Sequence, residues 1–594
     1  MFSYLVLSGE ASKVEEIFTK INNLVNDKKS AVKSRFSDIF FVNTQFVISN
    51  MSSQRLWAYF AFSDNKKDLE MFVEQNNHGL CIVNSNNKNI KADDCLDWLN
   101  LHNIDEASRE FDEEFSCVSI TNKNGFSAFS CFSGGVPVFY SSKLGVNLIS
   151  NVSKLISYIV NDSFSYDYLS LSWMITSGNI FFDKTLFCNV NKLNSQKYIK
   201  AEIGRSFGFS LVPYKDSIFT KDSNLCSDLT NDEWDYIFNK LVKRIECYVN
   251  RMPNKRFLIS GDKDSRLLLA LALSSSYKNE IEVFSDSTNH DYLADFCSSV
   301  GINRFTTSAD LNSNKRNFDN SSDLLKLCLH FIRTFNQRSS LLSERDNFTL
   351  SSFGGGLYRG IWWNQYFSDK DFDNVSNKPY MKFINYSQSF DKYQMLSDYS
   401  RLAQIEQVSS WVTDNYHEYQ NNLQPEKFYF QNIIGNSCYI NPLNGESSGF
   451  PLLSFDVAKL YFKLSLSARS RELLHFNCMY RSNPKLCEYP FIADSWKPEM
   501  NGYKGLNCKS IDLKIESHQM TFLKKFLIDR KEQAKQILDD ARRHTDIERL
   551  VQINKVKNQL DVMTNSSQQE DIFLIFRTIA TCLMLSSDVN LDMS

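Results

Sequence analysis

The sequence predicts an α/β protein of at least two domains, in which a layered β-sheet domain precedes a parallel-sheet domain. The chain has 594 residues, more than a single ordinary domain contains. In its first third, short apolar runs alternate with polar or turn residues, which indicates strands in layered sheets. These runs lie at 38–42, 55–62, 115–120 and 136–140.

A different pattern begins near residue 255. A strand-like run at 256–259 is followed by a turn, an apolar helix-like run at 266–273 and a second strand-like run at 281–284. A strand, a crossover helix and a second strand within so short a distance form a βαβ unit, which requires a parallel sheet with a right-handed crossover. The βαβ pattern therefore predicts that the second domain contains a parallel sheet.

Helical periodicity and composition suggest where the domains end. Apolar residues recur at helical spacing over 153–160 and 166–177, whereas 214–232 is polar and reads as a linker. We therefore predict domains at 1–213, 233–510 and 511–594. The last is a helical extension with a charged amphipathic stretch at 518–541, and no internal repeat is apparent.

Composition narrows the class of partner. The chain carries 66 Lys and Arg against 69 Asp and Glu, a net charge of -3, so it lacks the positive field that binds nucleic acid or anionic lipid. Its 14 cysteines form no CxxC pair, which favours reduced core thiols. No apolar run reaches the ~18 residues of a membrane span, and the N-terminus lacks a basic signal region. We expect a cytoplasmic protein.

The loop at 260–265, SGDKDS, contains the groups of a phosphate site. It follows a predicted parallel strand, and ligands bind at the carboxyl ends of such strands, where helix N-termini attract anions. Ser260 and Ser265 supply hydroxyl groups, Lys263 a cation and Asp264 a carboxylate for Mg²⁺. The alternative is a polar turn in which Asp262 or Asp264 caps the helix, and spacing alone leaves the two interpretations open.

This loop, extended to SGDKDSR at 260–266, resembles the pyrophosphate loop of N-type ATP pyrophosphatases in the form found in asparagine synthetase-like proteins. The segments 290–301 and 353–360 (FGGGLYRG) resemble later motifs of that family in the expected order, as do several positions between 451 and 491. The resemblance implies an adenine nucleotide alpha hydrolase-like fold with ATP and Mg²⁺ as cofactors. It assigns nucleotide binding to Ser260, Gly261, Asp262, Lys263, Asp264, Ser265, Gly354 and Gly355, metal binding to Asp264, and catalysis to Asp264, Arg359 and Lys497.

The N-terminal region resembles a class II glutamine amidotransferase domain at 134–140, 149–150 and 178–187. That family uses an N-terminal Cys exposed by removal of Met1, whereas this sequence has Phe2. We expect no glutamine hydrolysis. Relatives of asparagine synthetase with this loss, such as β-lactam synthetases and lasso-peptide cyclases, form amides from an amine already present.

Two positions of the nucleotide site depart from the family pattern. Asp262 replaces a Gly that lets the backbone approach pyrophosphate, and Gly356 replaces an expected carboxylate. The first hypothesis is an AMP-forming, amide-forming ligase that acts on small-molecule or peptide carboxylates and amines. The second is a catalytically impaired homologue that acts as a scaffold or binding partner. A tRNA-thiolase-like enzyme is disfavoured by charge and by the lack of paired cysteines. The oligomeric state stays open, homo- and hetero-oligomers included.

Other chemically capable residues have structural interpretations. We predict that His290 lies at the start of a helix, that His475 is a core histidine and that Trp362 and Trp363 pack. Lys497 and Lys504 lie where the resemblance places a catalytic lysine, and Lys497 is the candidate.

Overall fold

The computed structural model describes most of the chain in segments. These are 2–26, 40–44, 55–63, 70–76, 79–85, 90–106, 114–121, 125–143, 145–161, 165–201, 209–215, 218–219, 225–250, 252, 255–259, 261–285, 290–307, 349–360, 391, 393–416, 424–434, 448–492, 495–506, 510–511, 518–543, 545–564, 567 and 569–586. Ser260 and the tryptophans at 362 and 363 lie outside them.

The N-terminal part is built on two antiparallel sheets. Its strands are β1 (Phe2–Glu10), β2 (Phe40–Thr44), β3 (Arg55–Ser63), β4 (Val73–Asn76), β5 (Gly79–Ser85), β6 (Phe115–Thr121), β7 (Gly125–Ser130), β8 (Phe139–Lys143), β9 (Val146–Ser150), β10 (Asn191–Lys192), β11 (Lys197–Ala201) and β12 (Ser210–Pro213). The described strands form two six-stranded sheets, in the orders β10-β8-β9-β1-β3-β2 and β12-β11-β7-β6-β5-β4. Val6 and Tyr59 of the first sheet share one core with Ile82 and Val118 of the second, so the sheets are layered.

Helices cover these sheets on their outer faces. They are α1 (Ala11–Asn26), α2 (Ala92–Leu101), α3 (Ser153–Asn161) and α4 (Tyr168–Ser177). Leu5 and Phe60 point away from the second sheet and share a core with helices α1, α3 and α4, because successive strand residues face opposite sides. The predicted layered sheets and the helices near 153 and 166 are confirmed.

The second part contains a parallel sheet. Its elements are α5 (Asn231–Val249), β13 (Arg256–Leu258), α6 (Lys263–Leu273), β14 (Glu282–Ser285), α7 (His290–Ser299) and β15 (Phe305–Thr307). The strands pair in parallel in the order β13-β14-β15, as the βαβ pattern predicted. Two short parallel pairs follow, β16 (Thr349–Leu350) with β17 (Ser448–Gly449) and β18 (Phe491–Ile492) with β19 (Ser510–Ile511). Strand β16 lies beside β13.

Helices make up most of the remaining described chain. They are α8 (Asp398–Tyr416), α9 (Gln424–Phe428), α10 (Phe455–Tyr461), α11 (Leu466–Ser470), α12 (Leu473–Ser482), α13 (Lys485–Glu488), α14 (His518–Asp529), α15 (Lys531–Ala541), α16 (Thr545–Leu550), α17 (Ile553–Val562) and α18 (Gln569–Ser586). The helical C-terminal part is therefore confirmed. Within the described ranges, none of the helices combines the length and apolar character that crossing a bilayer requires.

The C-terminal helices pack against the N-terminal part. Residues of α14 to α18 share one core with the outer face of the first sheet and its helices. Arg577 of α18 is half-buried and donates a hydrogen bond to the Thr176 carbonyl at the end of α4, at 2.9 Å. Gly178 has a φ of +74°, a conformation that favours glycine, and a Cβ there would also lie 2.3 Å from the Arg577 guanidinium. Helices α14 to α18, which lie in the region predicted as a helical C-terminal extension, thus contribute to the core of the first part.

A buried carboxylate connects the sheets to the second part. Glu114, which precedes β6, is 2 % exposed. It accepts hydrogen bonds from Tyr248 and from Arg244 of α5, the latter at 3.4 Å, and from the Phe450 N–H at 3.3 Å. Charged hydrogen bonds compensate a buried carboxylate for its lost hydration, so this contact holds the two parts together.

Candidate functional site

The loop between β13 and α6 is shaped by a glycine and a helix cap. Gly261 has a φ of +86°, and a Cβ there would lie 2.6 Å from Ile492, so no larger residue fits without a shift. Asp262 is the N-cap of α6 and accepts a hydrogen bond from the Ser265 N–H at 2.8 Å. The capping interpretation of Asp262 is therefore confirmed. In such a cap, the Asp262 carboxylate binds a backbone N–H of the helix itself.

Asp264 lies in the first turn of α6, with its side chain 22 % exposed. Its Oδ1 is 2.7 Å from His475 Nε2 and 3.9 Å from Arg359 Nη1. The histidine contact, with the arginine charge nearby, orients the carboxylate, part of which is still open to solvent. Asp264 is thus both oriented and accessible, as a metal ligand requires.

The glycine-rich segment reaches the same carboxylate. It follows β16, and Gly355 begins a 3-10 turn that ends at Tyr358. A Cβ at Gly355 would lie 2.6 Å from Asp264 Oδ1, and one at Gly354 would lie 2.5 Å from Leu453. Because β16 lies beside β13, the loops that follow these two strands meet at one edge of the sheet. The structure therefore brings Gly261, Asp264, Gly355 and Arg359 together.

Lys263 belongs to an ion-pair network beneath the loop. Its side chain is fully buried, pairs with Glu472 and donates a hydrogen bond to the Ser495 carbonyl at 2.6 Å. The other oxygen of Glu472, Oε1, accepts a hydrogen bond from Arg359 Nε at 2.9 Å. The ammonium also lies 5.0 Å from the centre of the Trp496 ring. Its charge is compensated inside the protein, so a contribution of Lys263 to phosphate binding stays a prediction.

The two residues that follow Asp264 support the loop from inside. Ser265 is 5 % exposed, and its hydroxyl donates to the Asp262 carbonyl at 3.3 Å. Arg266 is buried, donates to the carbonyls of Leu486 and Pro490 at 3.2 and 2.7 Å, and lies over the Phe491 ring. Burial lowers the pKa of Arg266 to about 10. The arginine of the SGDKDSR motif therefore binds the 486–491 segment to α6.

The remaining candidates have no described contact with Asp264 or lie outside the described residues. Lys497 precedes a 3-10 turn at Pro498–Met500. Lys504 donates to the buried Asn477 in the middle of α12, at 2.8 Å. Ser260 is outside the described residues, so its predicted role stays a prediction. His290 is the first residue of α7, as expected.

Sequence reasoning missed two residues of the site. His475 is fully buried, which confirms the prediction of a core histidine, but its contact with Asp264 was not predicted. Glu472 was not considered. One signal is present in the sequence, a glutamate and a histidine within the apolar segment RELLHF, because buried polar side chains need compensating partners. Nothing local indicates which element supplies those partners.

The donor set can be tested against the implied cofactors. Among the described residues, no three His, Cys, Asp or Glu side chains form a metal-binding group. Mg²⁺ in nucleotide enzymes keeps several waters and uses one or two carboxylates plus substrate phosphates. Asp264, with its second oxygen beyond the His475 contact, fits this role and does not by itself make a resident metal site. At the α6 N-terminus the Ser265 N–H is bound by the Asp262 cap, so phosphate binding there and at the Gly261 backbone stays a prediction.

Comparison with known proteins does not identify a function for the chain, so a functional proposal must be argued from the geometry of the site. No family model matches the chain, and no curated protein matches it significantly.

Proposed function

We propose that this protein is an ATP-dependent ligase that joins a carboxylate to an amine and releases AMP and pyrophosphate. The convergence of the loops after β13 and β16 on Asp264 carries the proposal. This arrangement supplies a helix N-terminus for an anion, a fixed carboxylate for Mg²⁺ and an arginine within reach of both.

The chemistry assigns each group a task. The substrate carboxylate attacks the α-phosphorus of ATP, the bond to the bridging oxygen breaks, and pyrophosphate leaves. The amine then attacks the acyl-adenylate, AMP leaves, and the amine loses a proton. The α6 N-terminus with Ser260 and Gly261 would hold pyrophosphate, and Arg359 would stabilise its negative charge. Asp264 would hold Mg²⁺, which would neutralise part of the phosphate charge. Lys497 is proposed to act on the tetrahedral intermediate.

The proposal uses no glutamine-derived ammonia. Cys81, Cys117 and Cys131 in the layered sheets are buried, and burial raises the pKa of each thiol. A cysteine nucleophile needs the thiolate, which burial in apolar surroundings disfavours. The amine would therefore come from the substrate itself, and holding it beside the acyl-adenylate would supply much of the acceleration.

A scaffold without catalysis is the second candidate, and the state of the charged groups favours it. Lys263 is neutralised by Glu472, Asp262 caps α6, and Gly356 leaves the glycine-rich segment without a carboxylate. These three features leave the site with fewer side chains that could bind polyphosphate or its metal ion than the family pattern provides. Such a protein would keep the fold and act through a partner.

The test measures Mg-ATP binding by calorimetry and pyrophosphate release, in the full chain and with candidate carboxylates. Asp264→Ala removes the carboxylate at the site. Asp291→Ala is the matched control, because Asp291 occupies the same first-turn position in α7 of the next βα unit. Binding and release that disappear in Asp264→Ala and persist in Asp291→Ala support the ligase. No binding and no release by the wild-type chain contradict it and favour the scaffold.

A further inference from the structure

A third element reaches the two loops, namely the beginning of α12. Glu472 is its N-cap and His475 is its third residue. Both are buried, at 2 % and 0 % exposure, and each contacts a residue of the candidate nucleotide site. Burying a charged or polar side chain costs free energy unless that side chain makes compensating contacts. The contacts of Glu472 and His475 therefore indicate their role.

His475 is directed at Asp264. Its Nε2 lies 2.7 Å from Asp264 Oδ1, whereas Nδ1 is buried and has no hydrogen-bond partner among the described residues. With Asp264 as the acceptor, Nε2 carries the hydrogen. The one oxygen is thereby occupied, and the carboxylate can rotate only by breaking a charge-assisted bond. A packing role alone would be met by an apolar side chain without an unsatisfied nitrogen.

Glu472 joins the two loops. One carboxylate oxygen pairs with Lys263 at the start of α6, and the other accepts from Arg359 Nε at the end of the glycine-rich turn. Glu472 also has a φ of +61°, a left-handed conformation that a non-glycine residue adopts at a cost. This backbone geometry places the carboxylate between the two cations, and the bond at Nε fixes the direction of the guanidinium.

We propose that Glu472 and His475 are positioning residues of the nucleotide site. His475 orients Asp264 so that its second oxygen faces Mg²⁺, and Glu472 orients Arg359 toward the phosphates. The inference rests on the proposed function and deepens it, because it assigns α12 to the site. Neither residue touches substrate. Both act through the residue that does.

His475 is tested by two substitutions in the full chain. His475→Gln keeps a donor for Asp264, whereas His475→Ala removes it. We expect His475→Ala to weaken Mg-ATP binding at least about tenfold in calorimetry and His475→Gln to stay within about threefold of wild type. Equal affinity of the alanine variant and wild type overturns the inference and leaves the proposed function intact. A wild-type chain that binds no Mg-ATP overturns both.

Glu472 needs a control for stability, because removing one partner of a buried ion pair destabilises a fold. Glu426→Gln is the matched control, since Glu426 is 3 % exposed and lies 3.3 Å from Arg469, outside the three site elements. We expect Glu472→Gln and Arg359→Lys to raise the KM for ATP about tenfold with a smaller change in kcat. If Glu472→Gln alters KM no more than Glu426→Gln at equal thermal midpoints, Glu472 is merely structural.

Discussion

Replacing Gly355 by Ala tests the geometry of the site with the smallest chemical change. Gly355 does not have a positive φ, so alanine adds no backbone strain there. The new Cβ would lie 2.6 Å from Asp264 Oδ1 and 2.7 Å from its Cγ. Non-bonded heavy atoms normally meet at ~3.5 Å, so the carboxylate or the turn must move by roughly 1 Å.

The movement has two measurable consequences. Overpacking of this kind costs about 1–3 kcal/mol, which lowers a thermal midpoint by roughly 2–12 °C. Displacing Asp264 from His475 also disorders the metal carboxylate, and a misplacement of ~1 Å costs up to roughly 100-fold in rate. We therefore expect Gly355→Ala to lose pyrophosphate release and Mg-ATP affinity together.

The assay compares thermal melts and Mg-ATP titrations of Gly355→Ala with those of Gly301→Ala. At Gly301, φ is +83° and no atom lies within 4 Å of an added Cβ, so alanine there causes strain without a collision. We expect Gly301→Ala to lower the thermal midpoint and leave nucleotide affinity unchanged. Wild-type stability and affinity in Gly355→Ala would refute the close approach of the glycine-rich turn to Asp264.

Three further predictions concern a helix cap, a buried ion pair and the C-terminal helices. Thr230→Ala removes the hydroxyl that accepts a hydrogen bond from the Glu233 N–H and costs about 1 kcal/mol in denaturant melts; an unchanged midpoint contradicts the cap. The Thr230 N–H, which alanine keeps, donates to the Glu233 carboxylate and holds its pKa below the ordinary value, so this bond stabilises both chains above the ordinary value and its contribution is lost in both as the pH falls through the lowered one. Lys263→Met lowers the free energy of unfolding by about 3–5 kcal/mol, and the double variant with Glu472→Gln recovers part of this loss. A double variant that recovers no stability would contradict the buried ion pair. Arg577→Ala lowers stability by about 2–4 kcal/mol in thermal melts, and an unchanged midpoint would show that α18 does not depend on this contact.

Much of the fold could be predicted from local patterns. The strand predicted at 256–259 and the helix at 266–273 correspond to β13 and α6, but α6 begins earlier, at Lys263. The reason is the cap at Asp262, which lets three polar residues join the helix before its apolar run starts. A cap likewise sets the start of α5 at Asn231, where Thr230 and Glu233 form a capping box.

The site itself could be predicted only in part. Asp264, Gly355 and Arg359 belong to motifs whose order along the chain brought them to attention, and the structure places them in contact. Glu472 belongs to no motif, and His475, one of the positions between 451 and 491 that carry the resemblance, is predicted only as a core histidine. Their role depends on α12 packing across α6, a contact between residues more than 200 positions apart in sequence, as the 211-residue separation of His475 and Asp264 shows.

The sequence by itself determined the layered strands, the parallel βαβ unit and the polar loop at the end of its first strand, because hydrophobic period and turn chemistry act over a few residues. Only the tertiary structure decided that helices α14 to α18 join the N-terminal core, that Lys263 is neutralised by Glu472 and that His475 holds Asp264. Those outcomes depend on which surfaces meet, and burial and charge pairing between distant segments leave no local pattern in the chain.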